Sequence, residues 1–153
     1  MERFAQHILV PIDFSQASAL ALAAAAPLAK QNEARVTLCH VFDPQALGPR
    51  GTRNEPGVDQ VMSEANVEQS IHAELRRRGE EKLGDIEVGT AVIGNANAAM
   101  GICDYAAEHD VDLIIISTHG RTGLPHMLIG SVAERVVRHA PCPVLTLRSK
   151  VAD

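Results

Sequence analysis

Short apolar runs alternate with amphipathic stretches along the whole chain. The apolar runs are typical of β-strands, and the amphipathic stretches are typical of helices. One run, Leu113–Ile116, is short and rich in β-branched residues, which is typical of a strand buried on both faces of a parallel sheet. We predict strands at His7–Pro11, Arg35–Val41, Asp85–Ile93, Val111–Ser117 and Cys142–Arg148, and helices at Gln16–Asn32, Val58–Leu83, Ala98–His109 and Val132–His139.

The strict alternation of strands and helices predicts the fold class. Crossovers between parallel strands are right-handed, so this order predicts a doubly wound α/β fold: a five-stranded parallel sheet with helices on both faces. Ligands bind such sheets beyond the carboxyl ends of the strands, where the strand order reverses. The first and fourth strands end at Pro11–Asp13 and Ser117–Gly120, which therefore lie on the same rim. We expect residues 1–153 to form a single domain, because this length suits one hydrophobic core.

The clearest chemical signal lies between the fourth strand and the fourth helix. The strand leads into a polar, glycine-bearing loop, Ser117–Gly123, and Gly130 comes directly before the helix. Ser131, followed three residues later by Glu134, is a capping box, so we predict that Ser131 caps this helix. The N–H groups of such a loop and the dipole of a helix N-terminus attract anions. The sequence therefore predicts a site for the phosphates of a nucleotide.

Composition and charge exclude several classes of partner. The net charge is −5, the calculated pI is about 5.8 and aromatic residues make up only 3% of the chain, so we expect no nucleic-acid binding. No apolar run approaches the roughly 20 residues that a membrane span needs, so we expect no membrane partner. The first residues show no signal-peptide pattern. These features together predict a cytoplasmic protein.

The signatures of common enzyme classes are not found in the sequence. It contains no Walker phosphate-binding motif, no dinucleotide-binding fingerprint after the first strand and no nucleophile elbow. The histidines lack metal-ligand spacing, and we interpret His119 as a residue that fixes its loop by hydrogen bonds. The three cysteines are far apart, and we expect them to be buried, reduced thiols. No dedicated catalysis and no protein-bound metal site are expected.

Over essentially its whole length the chain resembles the universal stress protein (UspA-like) family. The segments that carry the resemblance are His7–Ser15, Val36–Val41, Asp112–Leu124, Gly130–Arg135 and Pro141–Leu145. The resemblance implies an adenine nucleotide α-hydrolase-like sheet with strand order 3-2-1-4-5. That order places the reversal between the first and fourth strands, in agreement with the rim inferred above.

The resemblance also implies a binding site. ATP-binding members carry a motif of Gly, two residues, Gly, nine residues, Gly and then Ser or Thr. Gly120, Gly130 and Ser131 fill its last three positions, whereas Ser117 stands at the first glycine position, where a Cβ narrows the approach of a ligand. The predicted nucleotide-binding residues are Pro11, Ile12, Asp13, Val41, Ile116, Ser117, Gly120, Arg121, Gly130, Ser131 and Val132.

The roles of these residues follow from the same resemblance. It implies that Asp13 lies near the ribose and the base, that Val41 meets the adenine, and that amides at the start of the fourth helix hold the phosphates. We expect Ile116 to line the base or the ribose, and we add Arg121 as a cation that faces the phosphates. A structural alternative for Asp13 is that it caps the loop that follows the first strand.

The predicted function is ATP binding, with Mg²⁺, by a regulatory or sensing protein of the stress response that hydrolyses ATP slowly at most. The nucleotide would order the loop Gly120–Gly130, and a regulatory protein partner of unknown identity would recognise the ordered surface. The resemblance also implies a homodimer through the apolar last strand, Val144–Leu147. Two alternatives stay open. One is a nucleotide-free dimeric interaction protein, which Ser117 favours. The other is an adenine-nucleotide hydrolase, which lacks the expected Ser/Gly-rich loop after the first strand.

Overall fold

The computed structural model describes residues 3–47, 64–119 and 129–148. Strands and helices alternate along the described chain, as the hydrophobic pattern predicts. The elements are β1 (His7–Pro11), α1 (Gln16–Asn32), β2 (Arg35–Phe42), α2 (Glu64–Leu83), β3 (Val88–Gly94), α3 (Ala98–Glu108), β4 (Leu113–Ser117), α4 (Ser131–His139) and β5 (Val144–Leu147). The segment after β2 begins with a short 3₁₀ turn, Pro44–Leu47. Residues 48–63, which include the predicted start of α2 at Val58, lie outside the described residues.

The five strands form one sheet in the order β3-β2-β1-β4-β5, and every neighbouring pair is parallel. This confirms the predicted doubly wound α/β fold and its strand order. β1 is the central strand and pairs with β2 through His7↔Arg35 and with β4 through Ile8↔Leu113. The chain winds outward from β1 to β3, and then crosses back to add β4 and β5 on the other side. The reversal therefore falls between the carboxyl ends of β1 and β4.

The core has two layers, one on each face of the sheet. Successive strand residues point to opposite faces, so Ile8 and Val10 belong to one layer while Leu9 belongs to the other. The first layer is closed by α1 and α2, with alanines of α1 fully buried against the sheet. The second layer is closed by α3 and α4. Burial on both faces explains why the central strands are nearly continuous apolar runs.

The two ends of α1 show why the helix begins and stops where the sequence pattern predicts. Ser15 is its N-cap: the Oγ atom accepts a hydrogen bond from the backbone N–H of Ser18 at 3.2 Å. At the other end, Glu33 adopts a left-handed conformation, with φ of 51°, and its N–H donates to carbonyls of the last turn. Both are ordinary ways of satisfying the unpaired backbone groups at helix ends.

The predicted capping box of α4 is wrong. Gly130 is the N-cap and Ser131 is the first helical residue, and among the described residues no side chain caps the helix. The carbonyl of Gly130 accepts from the N–H of Glu134 at 3.0 Å, while the N–H of Gly130 donates to the carbonyl of Thr118. A Cβ at position 130 would lie 2.7 Å from that carbonyl oxygen. This close approach needs a glycine, so the helix begins one residue earlier than the capping box indicates.

Smaller differences concern strand ends. β3 begins at Val88 rather than Asp85, and β5 begins at Val144 rather than Cys142. β3 lies at one edge of the sheet and β5 at the other, as the strand order implied by the resemblance requires. Within the described ranges, no helix combines the length and the apolar character that crossing a bilayer requires.

Candidate functional site

A cavity of about 310 Å³ opens at the carboxyl ends of β1 and β4, where the strand order reverses. Its volume lies near the lower end of the roughly 300–1,000 Å³ typical of small-molecule sites. The walls come from the ends of β1, β2 and β4 and from the first residues of α3 and α4. The cavity is lined by Pro11, Ile12, Asp13, Ser18, Cys39, His40, Val41, Ala98, Ile116, Ser117, Thr118, Gly130, Ser131, Val132 and Ala133.

Each predicted site residue that the structure describes lies in this lining. The geometry therefore brings together residues that are more than 100 positions apart in the sequence, as Pro11 and Val132 show. Gly120 and Arg121 lie outside the described residues. The arrangement shows that these side chains share one cavity, while their roles toward a nucleotide stay predictions.

Asp13 has a structural role as well as a place in the cavity wall. Its Oδ1 atom accepts the backbone N–H of Ser15 at 2.9 Å and also the hydroxyl of Ser15. This Asx turn holds the residue that caps α1. The structural alternative expected for Asp13 is therefore present in the molecule. It is compatible with a second contact to a ligand, because a carboxylate has two oxygens and can accept several hydrogen bonds.

The loop that follows β4 is fixed by its own hydrogen bonds. The hydroxyl of Ser117 donates to the carbonyl of His119 at 3.2 Å, and Thr118 Oγ1 lies 3.1 Å from His119 Nδ1. The N–H of Thr118 donates to the carbonyl of Leu147 in the neighbouring strand at 2.8 Å. The serine at the first glycine position of the motif thus uses its hydroxyl inside the loop. These contacts agree with the interpretation of His119 as a residue that stabilises the loop.

The start of α4 supplies the groups best suited to an anion. The N–H groups of Ser131, Val132 and Ala133 belong to the first helical turn, where no acceptor exists within the helix. Gly130 has no side chain that could cap them. All three residues line the cavity. Uncapped amides and the positive end of the helix dipole thus lie at the cavity wall, an arrangement that favours negatively charged ligands.

Sequence reasoning missed several lining residues: Ser18, Cys39, His40, Ala98, Thr118 and Ala133. A usable signal existed for some of them. Cys39 pairs with Pro11 in the sheet register, so the end of β2 must lie beside the end of β1. Ala98 begins α3 on the same rim. Cys39 is fully buried, and burial raises the pKa of its thiol to about 12, so it lines the cavity as an unreactive apolar group.

Close packing of α3 against the sheet shapes the wall at Val41. A Cβ at Gly101 would lie 3.2 Å from Val41 Cγ1 and from side-chain atoms of Ile93 and Asn95. The absence of that Cβ lets α3 approach the ends of β2 and β3. In the described ranges no three His, Cys, Asp or Glu side chains are grouped so that they could hold a metal ion.

Comparison with known proteins identifies the family. The model of the Universal stress protein family matches residues 5–148, so the chain belongs to that family. The universal stress protein MJ0531 of Methanocaldococcus jannaschii is 32% identical over 147 residues, which cover 96% of this chain and 84% of that protein. Among solved structures, the hypothetical protein MJ0577 matches with a TM-score of 0.79 at 25% identity, covering 99% of this chain and 100% of that one.

Two more distant structures contain nucleotides. A universal stress protein in complex with cAMP matches with a TM-score of 0.67 at 20% identity, covering 94% of this chain and 97% of that one. The universal stress protein from Archaeoglobus fulgidus in complex with dAMP matches with a TM-score of 0.62 at 20% identity, covering 94% of this chain and 98% of that one. At this level of identity the likeness establishes a shared fold.

Proposed function

We propose that this protein binds an adenine nucleotide, ATP with Mg²⁺, in the cavity between β1 and β4 and acts as a regulatory or sensing protein. The observation that carries the proposal is the uncapped N-terminus of α4, whose amides line a cavity at the switch point of the sheet. Nucleotide complexes of two proteins with the same fold, with cAMP and with dAMP, support the choice of an adenine nucleotide.

The residues that line the cavity suggest which part of the nucleotide each of them contacts. Apolar side chains, Val41 and Ile116, form the wall assigned to the adenine, and Asp13 is the carboxylate assigned to the ribose. The amides of Ser131 and Val132 are assigned to the phosphates, with Arg121 as a further cation. The amide of Gly130, which the resemblance also assigned to this role, donates instead to the carbonyl of Thr118. A hydrogen bond from a ribose hydroxyl to a carboxylate is charge-assisted, and such bonds are stronger than neutral ones.

Magnesium fits this site as a companion of the phosphates. Asp13 is the one Asp or Glu side chain in the described lining, and it also holds the Asx turn with Ser15. Mg²⁺ commonly binds through substrate phosphates, waters and one or two carboxylates rather than through a complete protein cage. Asp13, the one carboxylate of the described lining, already holds the Asx turn, which argues for slow ATP hydrolysis at most, since hydrolysis needs a positioned water and a group to orient it.

The signal would be transmitted through a dimer. In the part of the chain that the structure describes, β5 (Val144–Leu147) is an edge strand with no strand partner on its outer side, which favours pairing with another chain. Leu145 on this strand is 38% exposed, and Val137 on the adjacent α4 is 50% exposed. We propose antiparallel pairing of β5 across a two-fold axis, with the nucleotide-dependent surface recognised by a regulatory protein partner in the cytoplasm.

Thermal denaturation with and without ATP-Mg²⁺ tests the binding. A ligand present at about 100 times its dissociation constant stabilises the native state by about 2.7 kcal/mol. For a domain of this size that corresponds to a rise in Tm of roughly 5–10 °C. An unchanged Tm at millimolar ATP-Mg²⁺ would favour a nucleotide-free dimeric interaction protein instead. Mass spectrometry of small molecules released by denaturing the purified protein identifies any ligand that it retains.

A matched pair of variants tests the role of Asp13. Asp43, at the end of the neighbouring strand, forms the same kind of Asx turn by accepting the N–H of Gln45 at 2.9 Å, but it does not line the cavity. Asp13→Asn should weaken ATP binding by about tenfold or more, because it removes a charged acceptor. Asp43→Asn should leave the affinity unchanged. Equal affinities for Asp13→Asn and wild type would remove the ribose assignment.

A further inference from the structure

The backbone of Phe14 is unusual. Phe14 has φ of 65°, a left-handed conformation that bulky residues rarely adopt. The other non-glycine residues with positive φ in the described chain are Glu33 and Asp110, and both follow the ends of helices, where this conformation is common. Phe14 instead lies in the loop between β1 and α1, directly after the cavity-lining residue Asp13. Strained backbone of this kind persists only when the surrounding structure holds it in place.

The phenylalanine ring contacts two side chains from different elements, His40 and Arg78, and these three residues together form the Phe14 stack, in which the two rings are tilted by 38°. The centroid of the Phe14 ring lies 4.8 Å from that of the His40 ring on β2, and the guanidinium carbon of Arg78 on α2 lies 5.1 Å from it. Glu74 orients this arginine, since Arg78 Nε donates to Glu74 Oε1 at 3.0 Å. Phe14 itself is not among the residues that line the cavity, while His40 is.

The stack also reaches the backbone of the loop. His40 Nδ1 lies 2.7 Å from the carbonyl oxygen of Ile12. Because a carbonyl oxygen only accepts, Nδ1 is the protonated ring nitrogen that donates this bond. The two residues that flank Asp13 are thus both fixed: Ile12 by the hydrogen bond from His40, and Phe14 by the stack. Asp13 then accepts the N–H of Ser15, which closes the loop.

We propose that Phe14, His40 and Arg78 are positioning residues that hold Asp13 at the cavity wall and so couple α2 to the nucleotide site. This inference rests on the proposed function for its ligand. None of the three acts on the nucleotide directly in this mechanism: the stack sets the conformation of residues 12–15, and Asp13 makes the contact. A change on α2, outside the cavity lining, therefore changes nucleotide affinity.

The sequence provides a matched control on the same helix. Arg77 and Arg78 both form ion pairs with Glu74, but Arg77 is 60% exposed and pairs with Glu81 as well, whereas Arg78 is 26% exposed and lies over the Phe14 ring. Arg78→Met keeps the apolar stem and removes the cation. Arg77→Met removes the same charge from α2 and leaves Phe14, His40 and Arg78 unchanged, with Arg78 as the remaining partner of Glu74. A difference between these variants therefore reports the stack, not the net charge.

The measurements are ATP affinity by isothermal titration calorimetry and the exchange rate of the Ser15 amide, followed by NMR. We expect Arg78→Met and Phe14→Ala to weaken ATP binding by about five- to tenfold, and Arg77→Met to match wild type. In an Asp13→Asn background the effect of Arg78→Met should vanish, because a stack that acts through Asp13 has nothing left to position. Phe14→Gly, which tolerates positive φ, should be more stable than Phe14→Ala and yet bind ATP as weakly.

The outcomes separate this inference from the proposed function. If Arg78→Met and Arg77→Met are alike in both ATP affinity and Ser15 exchange, while wild type binds ATP, the positioning role is refuted and the nucleotide site stands. If wild type does not bind ATP, the proposed function is refuted, and with it the role toward a ligand. Ser15 exchange that is faster in Arg78→Met alone then still shows that the stack holds the loop.

Discussion

The contact between Gly130 and Thr118 leads to a test of how the start of α4 is built. In Gly130→Ala, the new Cβ would lie 2.7 Å from the carbonyl oxygen of Thr118, a distance that forces backbone to move. Overpacking of this kind costs about 1–3 kcal/mol. When these two backbone segments move apart, the hydrogen bond from the Gly130 N–H to the same carbonyl is distorted. We therefore expect a loss of roughly 2 kcal/mol in the free energy of unfolding, or about 4–8 °C in Tm.

Ser131→Ala is the matched control, because the two interpretations of this helix start predict different results. If Ser131 were the N-cap, its loss would cost about 1 kcal/mol. In the structure Ser131 is an exposed residue of the first turn and Gly130 is the cap, so the free energy of unfolding should change by less than about 0.5 kcal/mol. Urea denaturation followed by circular dichroism measures both variants.

Two results would refute this reasoning. A Gly130→Ala protein as stable as wild type would show that the close approach to Thr118 is not required. A Ser131→Ala protein destabilised by 1 kcal/mol or more would restore the serine as the cap. The larger substitution Gly130→Val does not serve as a clean block of the phosphate path, because it perturbs the same backbone contact and thus the fold.

Three further predictions concern other parts of the molecule. Burial raises the pKa of the Cys39 thiol to about 12, so Cys39 should resist iodoacetamide at pH 8 in the native protein and react only after denaturation. Mass spectrometry of digested peptides measures the labelling, and rapid labelling of the native protein would contradict the burial of Cys39. Burial, followed by the charge of Arg35, lowers the pKa of His7 below 6.5, so below pH 6.5 the unfolded chain binds a proton that the native chain does not. Stability should therefore fall as the pH drops from 6.5 toward the lowered native pKa, and His7→Gln should flatten this dependence in urea titrations; an unchanged slope would assign it to other groups. Leu145→Lys, at the exposed edge strand, should shift the proposed dimer to monomer in light scattering after gel filtration, whereas a dimer of unchanged mass would place the interface elsewhere.

The hydrophobic periodicity of the sequence predicts most of the strands and helices of the fold. β1 and β4 are nearly continuous apolar runs because both of their faces are buried, and α1 begins at Gln16 because Ser15 caps it. Strand order came from family resemblance, since the periodicity does not distinguish β1 from β4 as neighbours. The start of α4 was mispredicted because local sequence favours Ser131 as a cap, whereas a tertiary contact decides the boundary. The Phe14 stack joins three elements and a left-handed residue, and no local pattern signals it.

One residue, Thr118, connects the candidate site with the proposed dimer edge. The Thr118 carbonyl accepts from Gly130 at the start of α4, and the Thr118 N–H donates to Leu147 of β5 at 2.8 Å. A nucleotide that binds the α4 amides therefore acts on a group held directly by the edge strand. If the nucleotide and the second chain both bind, their affinities are linked: any factor by which ATP changes the dimer dissociation constant is the factor by which dimerisation changes ATP affinity. We expect saturating ATP to shift the dimer dissociation constant in sedimentation velocity, and Gly130→Ala to reduce that shift. A dissociation constant that ATP leaves unchanged would mean that Thr118 transmits nothing, because a ligand shifts an equilibrium only by its differential affinity for the two states.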